Sequence, residues 1–87
     1  MIKLKAHNKV LGQFSEIDKF LLVPKKLWDE IGEGDATLRL NGEKVKTRVY
    51  DILCNCVGEE HHHRLIDLRE LWEKMGIQDG DEITVER

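Results

Sequence analysis

The sequence predicts a mainly β fold of the α+β class: a six-stranded barrel with pseudo-two-fold symmetry, built from a tandem β-β-α-β repeat with two short helices. Three observations predict it. The first is an internal repeat. Residues 21–35 read LLVPKKLWDEIGEGD and residues 65–81 read LIDLRELWEKMGIQDGD. Each copy carries a Leu-Trp pair (Leu27-Trp28, Leu71-Trp72), then a glycine (Gly32, Gly76), then Gly-Asp (Gly34-Asp35, Gly80-Asp81) and an apolar segment. The second is length. A chain of 87 residues buries enough surface for one modest core, so two half-domains must share it. The third is an Asn-Gly turn between alternating segments, which ties the halves together. Together they predict one domain over residues 1–87, with half-repeats of about 1–42 and 43–87. Closure into a barrel would remove exposed strand edges.

The elements follow in order. Ile2, Leu4 and Ala6 alternate with charges, as on a half-buried strand. Gly12 and residues 15–18 mark a loop. Phe20 to Val23 is an apolar strand, and Pro24 suits the first position of a helix near 24–31, where its missing N–H costs nothing. Leu27, Trp28 and Ile31 share a face of that helix, and Gly32 is its expected left-handed cap. Residues 36–40 form a strand. Asn41-Gly42 predicts a type I′ turn, since both central residues need positive φ. In strand 43–50, Val45, Thr47 and Val49 alternate with Lys44, Lys46 and Arg48. The apolar parity changes near Asp51, which predicts a bulge before residues 52–57 continue as strand. Gly58-Glu59-Glu60 turns the chain, and residues 63–66 return. Asp67 and Glu70 have the spacing of a capping box for a helix near 68–75, with Leu68, Leu71, Trp72 and Met75 facing inward and Gly76 ending it. Gly80-Asp81 turns into a last strand with Ile83 and Val85.

Composition bounds the function. The net charge of −3 argues mildly against a dedicated nucleic-acid binder, which is usually basic. Lys and Glu supply 19 of the 31 charged residues, a balance similar to that of thermophile proteins. No stretch approaches a membrane span, and the first ten residues lack the apolar core of a signal peptide, which predicts a cytoplasmic protein with no membrane partner.

A half made of an apolar strand, a short helix, Gly-x-x-x-Gly-Asp and another apolar strand resembles the cradle-loop barrels: AbrB-like regulators, double-psi barrels and RIFT barrels. Both halves lie in one chain here, which is more similar to the double-psi or RIFT arrangement. A closer resemblance covers residues 20–86 and rests on Val23-Pro24, Trp28, Asn41-Gly42, Gly58 and Gly80-Asp81. These residues resemble a small β-barrel family of unknown function, sometimes fused to a YdeI-like bacteriocin-protection segment. The resemblance implies the barrel and no particular activity. The Cys54-x-Cys56 pair and the histidine run have no counterpart in it.

Few residues suggest chemistry. His61, His62 and His63 alternate sides in an extended segment, so at most two face one way. Cys54 and Cys56 lie across the same hairpin, and with His61 and His63 they are the candidate zinc ligands. Against that, zinc sites favour Cys-x2-Cys turns, and two small buried thiols near a polar hairpin tip explain the same residues, so no metal and no cofactor are expected. Ser15 has no evident base, and the acid pairs at 29–30, 59–60 and 81–82 sit where solvated charges sit, so no enzymatic activity is expected. The tryptophans read as core. The candidate nucleic-acid contacts are Lys3, Lys5, Lys46 and Arg48, which alignment of the halves places at matching outward positions, as one possible basic patch. The expected function is a small non-enzymatic interaction module with a protein partner. The alternative is an AbrB-like nucleic-acid-binding module using those four cations.

Overall fold

Alternating apolar and charged residues make the first strand, β1 (Ile2–Asn8), with Leu4 and Ala6 inward and Lys3 and Lys5 outward. In the computed structural model, which describes residues 2–10, 16–54 and 61–86, five further strands follow. They are β2 (Lys19–Val23), β3 (Gly34–Leu40), β4 (Glu43–Cys54), β5 (His61–Asp67) and β6 (Glu82–Glu86). They close into an antiparallel barrel in the ring order β1-β2-β5-β4-β3-β6.

The ring carries the symmetry of the repeat. Exchanging β1 with β4, β2 with β5 and β3 with β6 leaves every neighbour relation unchanged. The registers agree. Ala6↔Leu21, His7↔Phe20 and Asn8↔Lys19 in the first half correspond to Val49↔Ile66, Tyr50↔Leu65 and Asp51↔Arg64 in the second. Leu21 and Ile66 are counterparts and also directly paired, so a two-fold axis passes between them. The main core draws seven buried residues from each half: Leu4, Ala6, Leu21, Val23, Ile31, Leu38 and Leu40, with Val45, Val49, Ile66, Leu68, Ile77, Ile83 and Val85. Leu27, Trp28, Leu71 and Trp72 pack against it, half-buried.

The two expected helices are not formed: no α-helix occurs among the described residues. The first segment has one 3-10 turn, Lys25–Leu27, and the second runs as consecutive hydrogen-bonded turns over residues 69–76. An α-helix needs successive i→i−4 bonds, and its nucleus is costly in a short segment. Here the spans are mixed. Leu27 and Trp28 donate three residues back, to Pro24 and Lys25, and Ile31 donates four back, to Leu27. In the second segment Met75 donates four back to Leu71, while Gly76 donates to Glu73 and Ile77 to Trp72. That last pair of bonds, with Gly76 at φ 65°, is a Schellman motif, so Gly76 ends its segment as expected. Gly32 is not in the left-handed region; the positive φ falls instead at Gly34 (112°), the first residue of β3.

Two other expectations resolve. Asn41 and Gly42 have φ of 52° and 83°, as the type I′ turn requires, and Asn41 also pins β6 through its N–H and Oδ1 to Thr84. The bulge near Asp51 is absent, because β4 pairs with β5 in unbroken register from Val49↔Ile66 to Cys54↔His61. The parity change has another cause. Val45 and Val49 face the barrel core, whereas Tyr50 and Ile52 join a second cluster of Ile17, Phe20 and Leu65 on the opposite sheet face. Asp67 caps the following turn by accepting from the Arg69 N–H at 3.0 Å, but among the described residues no bond from Glu70 closes a capping box.

Candidate functional site

The four predicted cations are exposed but not brought together. Lys3 and Lys5 lie on β1, and Lys46 and Arg48 on β4, three places away around a ring of six, on opposite walls. Each pair also has a neighbouring acid in register: Lys5 opposite Glu82, and Arg48 opposite Asp35 with a 4.0 Å ion pair. Symmetry thus makes two small basic spots rather than one patch, because matching positions are related by a half-turn about the barrel.

Of the metal candidates, Cys56 lies outside the described residues, and only the backbones of Cys54 and His61 are described; these two are paired across β4 and β5. His63 pairs with Ile52. Among the described residues no group of three metal-ligating side chains converges.

The structure does assemble polar groups elsewhere. Beyond Val49 and Ile66, the core-facing side of β4 and β5 continues as Asp51 and Arg64, at the barrel mouth beneath the 24–31 turn. Arg64, with a side chain 15% exposed, closes that mouth. Its Nη1 donates to the carbonyls of Trp28 at 3.1 Å and Ile31 at 3.3 Å, and its Nη2 to Asp51 at 3.4 Å. The guanidinium carbon lies 4.6 Å from the Trp28 ring centroid, so the ring face supplies attraction where the buried Nε has no hydrogen-bond partner. Trp28 is held in turn by its indole N–H, which donates to the Val23 carbonyl at 3.0 Å. The other Asp51 oxygen lies 2.6 Å from His62 Nδ1, and that imidazole is 57% exposed. A carboxylate orienting a histidine is half of a general-base arrangement. Among the described residues no hydroxyl or thiol is hydrogen-bonded to His62.

Two surface grooves meet on β4. One, of about 480 Å³, lies between residues 35–37, 46–48 and 67–71, and the other, of about 410 Å³, runs along Tyr50 to Leu53 beside Glu16 and Ile17. Tyr50 and Arg69 line both. The first groove sits where Leu4 of the first half is replaced by Thr47, whose hydroxyl donates to the Asp67 carbonyl at 2.6 Å. Arg69 is clamped by the Asp67 carboxylate, with Nη2 at 2.9 Å and Nε at 3.1 Å, and those hydrogen bonds raise its already high pKa. The Arg48 guanidinium lies 5.4 Å from the Tyr50 ring centroid. The grooves are lined by five acids (Glu16, Asp35, Asp51, Asp67, Glu70) and three bases (Lys46, Arg48, Arg69).

Tyr50, Arg64 and Arg69 are the residues that sequence reasoning did not single out. Arg64 had one available signal: it falls directly opposite Asp51 once the 50s hairpin is drawn. No family model matches the chain, and no curated protein or solved structure gives a match. No helix among the described residues is long and apolar enough to cross a membrane.

Proposed function

We propose that the protein is a non-enzymatic interaction module that binds a protein segment in the paired grooves centred on Tyr50 and Arg69. One observation carries the reading: an amphipathic trough lined by both signs of charge, with acids in excess by five to three. Polyanions are repelled by such a lining, whereas a polypeptide matches mixed charge around an aromatic and an arginine, the residue types that dominate binding hot spots. Arg69 is already oriented by Asp67, which lowers the ordering cost of using it. The small-barrel resemblance is compatible with this role and adds no activity to it.

The experiment is selection from a displayed random-peptide library against the full chain, with Tyr50→Ala as counter-target. The expected result is a family of peptides that bind the wild type and lose at least about tenfold affinity on the variant. Peptides that bind both proteins equally, or no enrichment, contradict it.

The nucleic-acid alternative rests on Lys46 and Arg48, the pair that shares the groove rim. Duplex DNA and RNA titrated at about 50 and 200 mM salt test it, because phosphate contacts weaken steeply with salt. Binding that is salt-sensitive and lost in the Lys46/Arg48 double alanine variant supports this alternative; no binding at the lower salt removes it.

A further inference from the structure

We propose that two copies of this chain associate by antiparallel pairing of the free β4 edge, with Ile52 on the dimer axis. The edge arises from a difference between the halves. β3 pairs with β4 only as far as Val49, while β4 continues to Cys54, paired on its other side with β5. Over Tyr50 to Leu53 the β3 side of the strand has no backbone partner among the described residues.

The equivalent edge of the first half is closed. There the loop before β6 folds along β1: Ala6 donates to the Asp81 carbonyl, Gly80 donates to the Ala6 carbonyl, and the Asn8 N–H donates to Asp79 Oδ1 at 2.8 Å. The loop before β3 is two residues shorter, with Gly32 and Gly34 in place of Gly76 and Gly80. It supplies no counterpart of Asp79, so the Asp51 N–H, which corresponds to that of Asn8, lacks the matching bond among the described residues.

Strand geometry determines the pairing. Backbone groups alternate sides along a strand, so those of Ala6 and Asn8 correspond to those of Val49, Asp51 and then Leu53. Val49 is used by Gly34, which leaves Asp51 and Leu53 facing the edge. A two-fold antiparallel pair must place one residue opposite itself. With Ile52 there, each Asp51 faces the partner's Leu53, and the two chains exchange four N–H···O=C bonds through the groups that are free. An axis at Asp51 would set two carboxylates side by side and require the occupied Val49.

The sequence of the edge favours a second copy. Residues 50–54 read YDILC, with no lysine, arginine or proline, the residues that guard strand edges. Their one charge, Asp51, is already held by Arg64 and His62. Leu53 is 48% exposed, one of two large apolar side chains so placed among the described residues. Within the chain, two near-equivalent strands already meet on a two-fold axis, at Leu21 and Ile66. The pairing uses backbone groups of Tyr50 to Leu53, the stretch that also lines the second groove, so a partner strand and a groove-bound peptide would compete there.

The test is sedimentation equilibrium of the full chain from about 1 to 500 µM, with hydrogen exchange at both ends of that range. The expected result is a monomer–dimer equilibrium in which the Asp51 and Leu53 amides gain protection with concentration while Tyr50 and Ile52, whose amides face β5, do not. Leu53→Lys, at a position that is 48% exposed, should weaken the dimer at least about tenfold. A chain monomeric throughout, a dimer that leaves the Asp51 and Leu53 amides unchanged, or one that tolerates Leu53→Lys overturns the proposal. Failure here leaves peptide selection in the Tyr50–Arg69 grooves unaffected.

Discussion

The two mouths of the barrel are built from equivalent positions and closed differently. Under the 24–31 turn, Arg64 reaches across to Asp51, two carbonyls and the face of Trp28. Its counterpart under the 68–76 turn is Lys19, whose ion pair among the described residues is with its neighbour Asp18, and the counterpart of Asp51 is Asn8. There the Schellman turn at Gly76 and the loop to Asp81 close the end with backbone bonds. The repeat therefore dictates the ring and the shared core, while the features with chemical potential sit where the halves diverge. Thr47 replaces Leu4 and opens a groove; Asp51 replaces Asn8 and builds an ion-pair cluster; a shorter loop frees a strand edge.

The largest expected effects lie on the two-fold axis. Leu21→Ala and Ile66→Ala should each cost about 2–5 kcal/mol, because both are fully buried in one core. Chemical denaturation should find the two costs within about 1 kcal/mol of each other, since the positions are counterparts. A large cost at one and a small cost at the other would mean that the halves do not share the core equally.

The mouths should separate next. Arg64→Ala removes the partner of Asp51 and of the Trp28 and Ile31 carbonyls, and should cost about 2–4 kcal/mol. Lys19→Ala breaks a partly exposed pair and should cost under about 1 kcal/mol. Equal costs in thermal or urea unfolding would mean that the two mouths are closed equally tightly.

The glycines give a smaller contrast. Gly42→Ala forces a side chain into the left-handed region at φ 83° and should cost about 1–2 kcal/mol. Gly32, where the left-handed cap was expected, has no positive φ and nothing within 4 Å of an added Cβ, so Gly32→Ala should change stability by under about 0.5 kcal/mol.

The smallest effect is a pH dependence confined to one half. His7 occupies the place of Tyr50 and packs against Phe20 with ring centroids 5.4 Å apart. Burial, then Lys9, holds its pKa below the usual 6.5, despite an opposing pull from Asp79. The unfolded chain thus binds the proton more readily, so this contribution is complete above pH 6.5 and is lost as pH falls through the lower folded value. His7→Tyr should flatten the pH–stability curve in that window; an unchanged slope would assign it to other groups.

The legible part of the fold was whatever local chemistry dictates. The Asn41-Gly42 turn, the alternating strands, the Gly76 stop and the repeat are written in neighbouring residues. The helices were misjudged because Leu27, Trp28 and Ile31 show helical spacing, yet turns of mixed hydrogen-bond span bury the same side chains in a short segment. The expected bulge was misread because one strand serves two cores in succession, and sequence parity cannot separate that from an inserted residue. The candidate site was less legible still. Lys3, Lys5, Lys46 and Arg48 do match by repeat, but only the ring order shows that matching residues sit on opposite walls. Arg64 acts through the Trp28 ring and two carbonyls from a distant turn, contacts with no sequence pattern of their own.

Two equivalent halves meet on an axis between Leu21 and Ile66. The most direct measurement is nuclear Overhauser contact across β2 and β5 in isotopically labelled protein. Cross-strand contacts are expected at Leu21–Ile66, flanked symmetrically by Phe20–Asp67 and Leu22–Leu65. Contacts of Leu21 and Ile66 confined to their own halves, or a register displaced from these pairs, would contradict it.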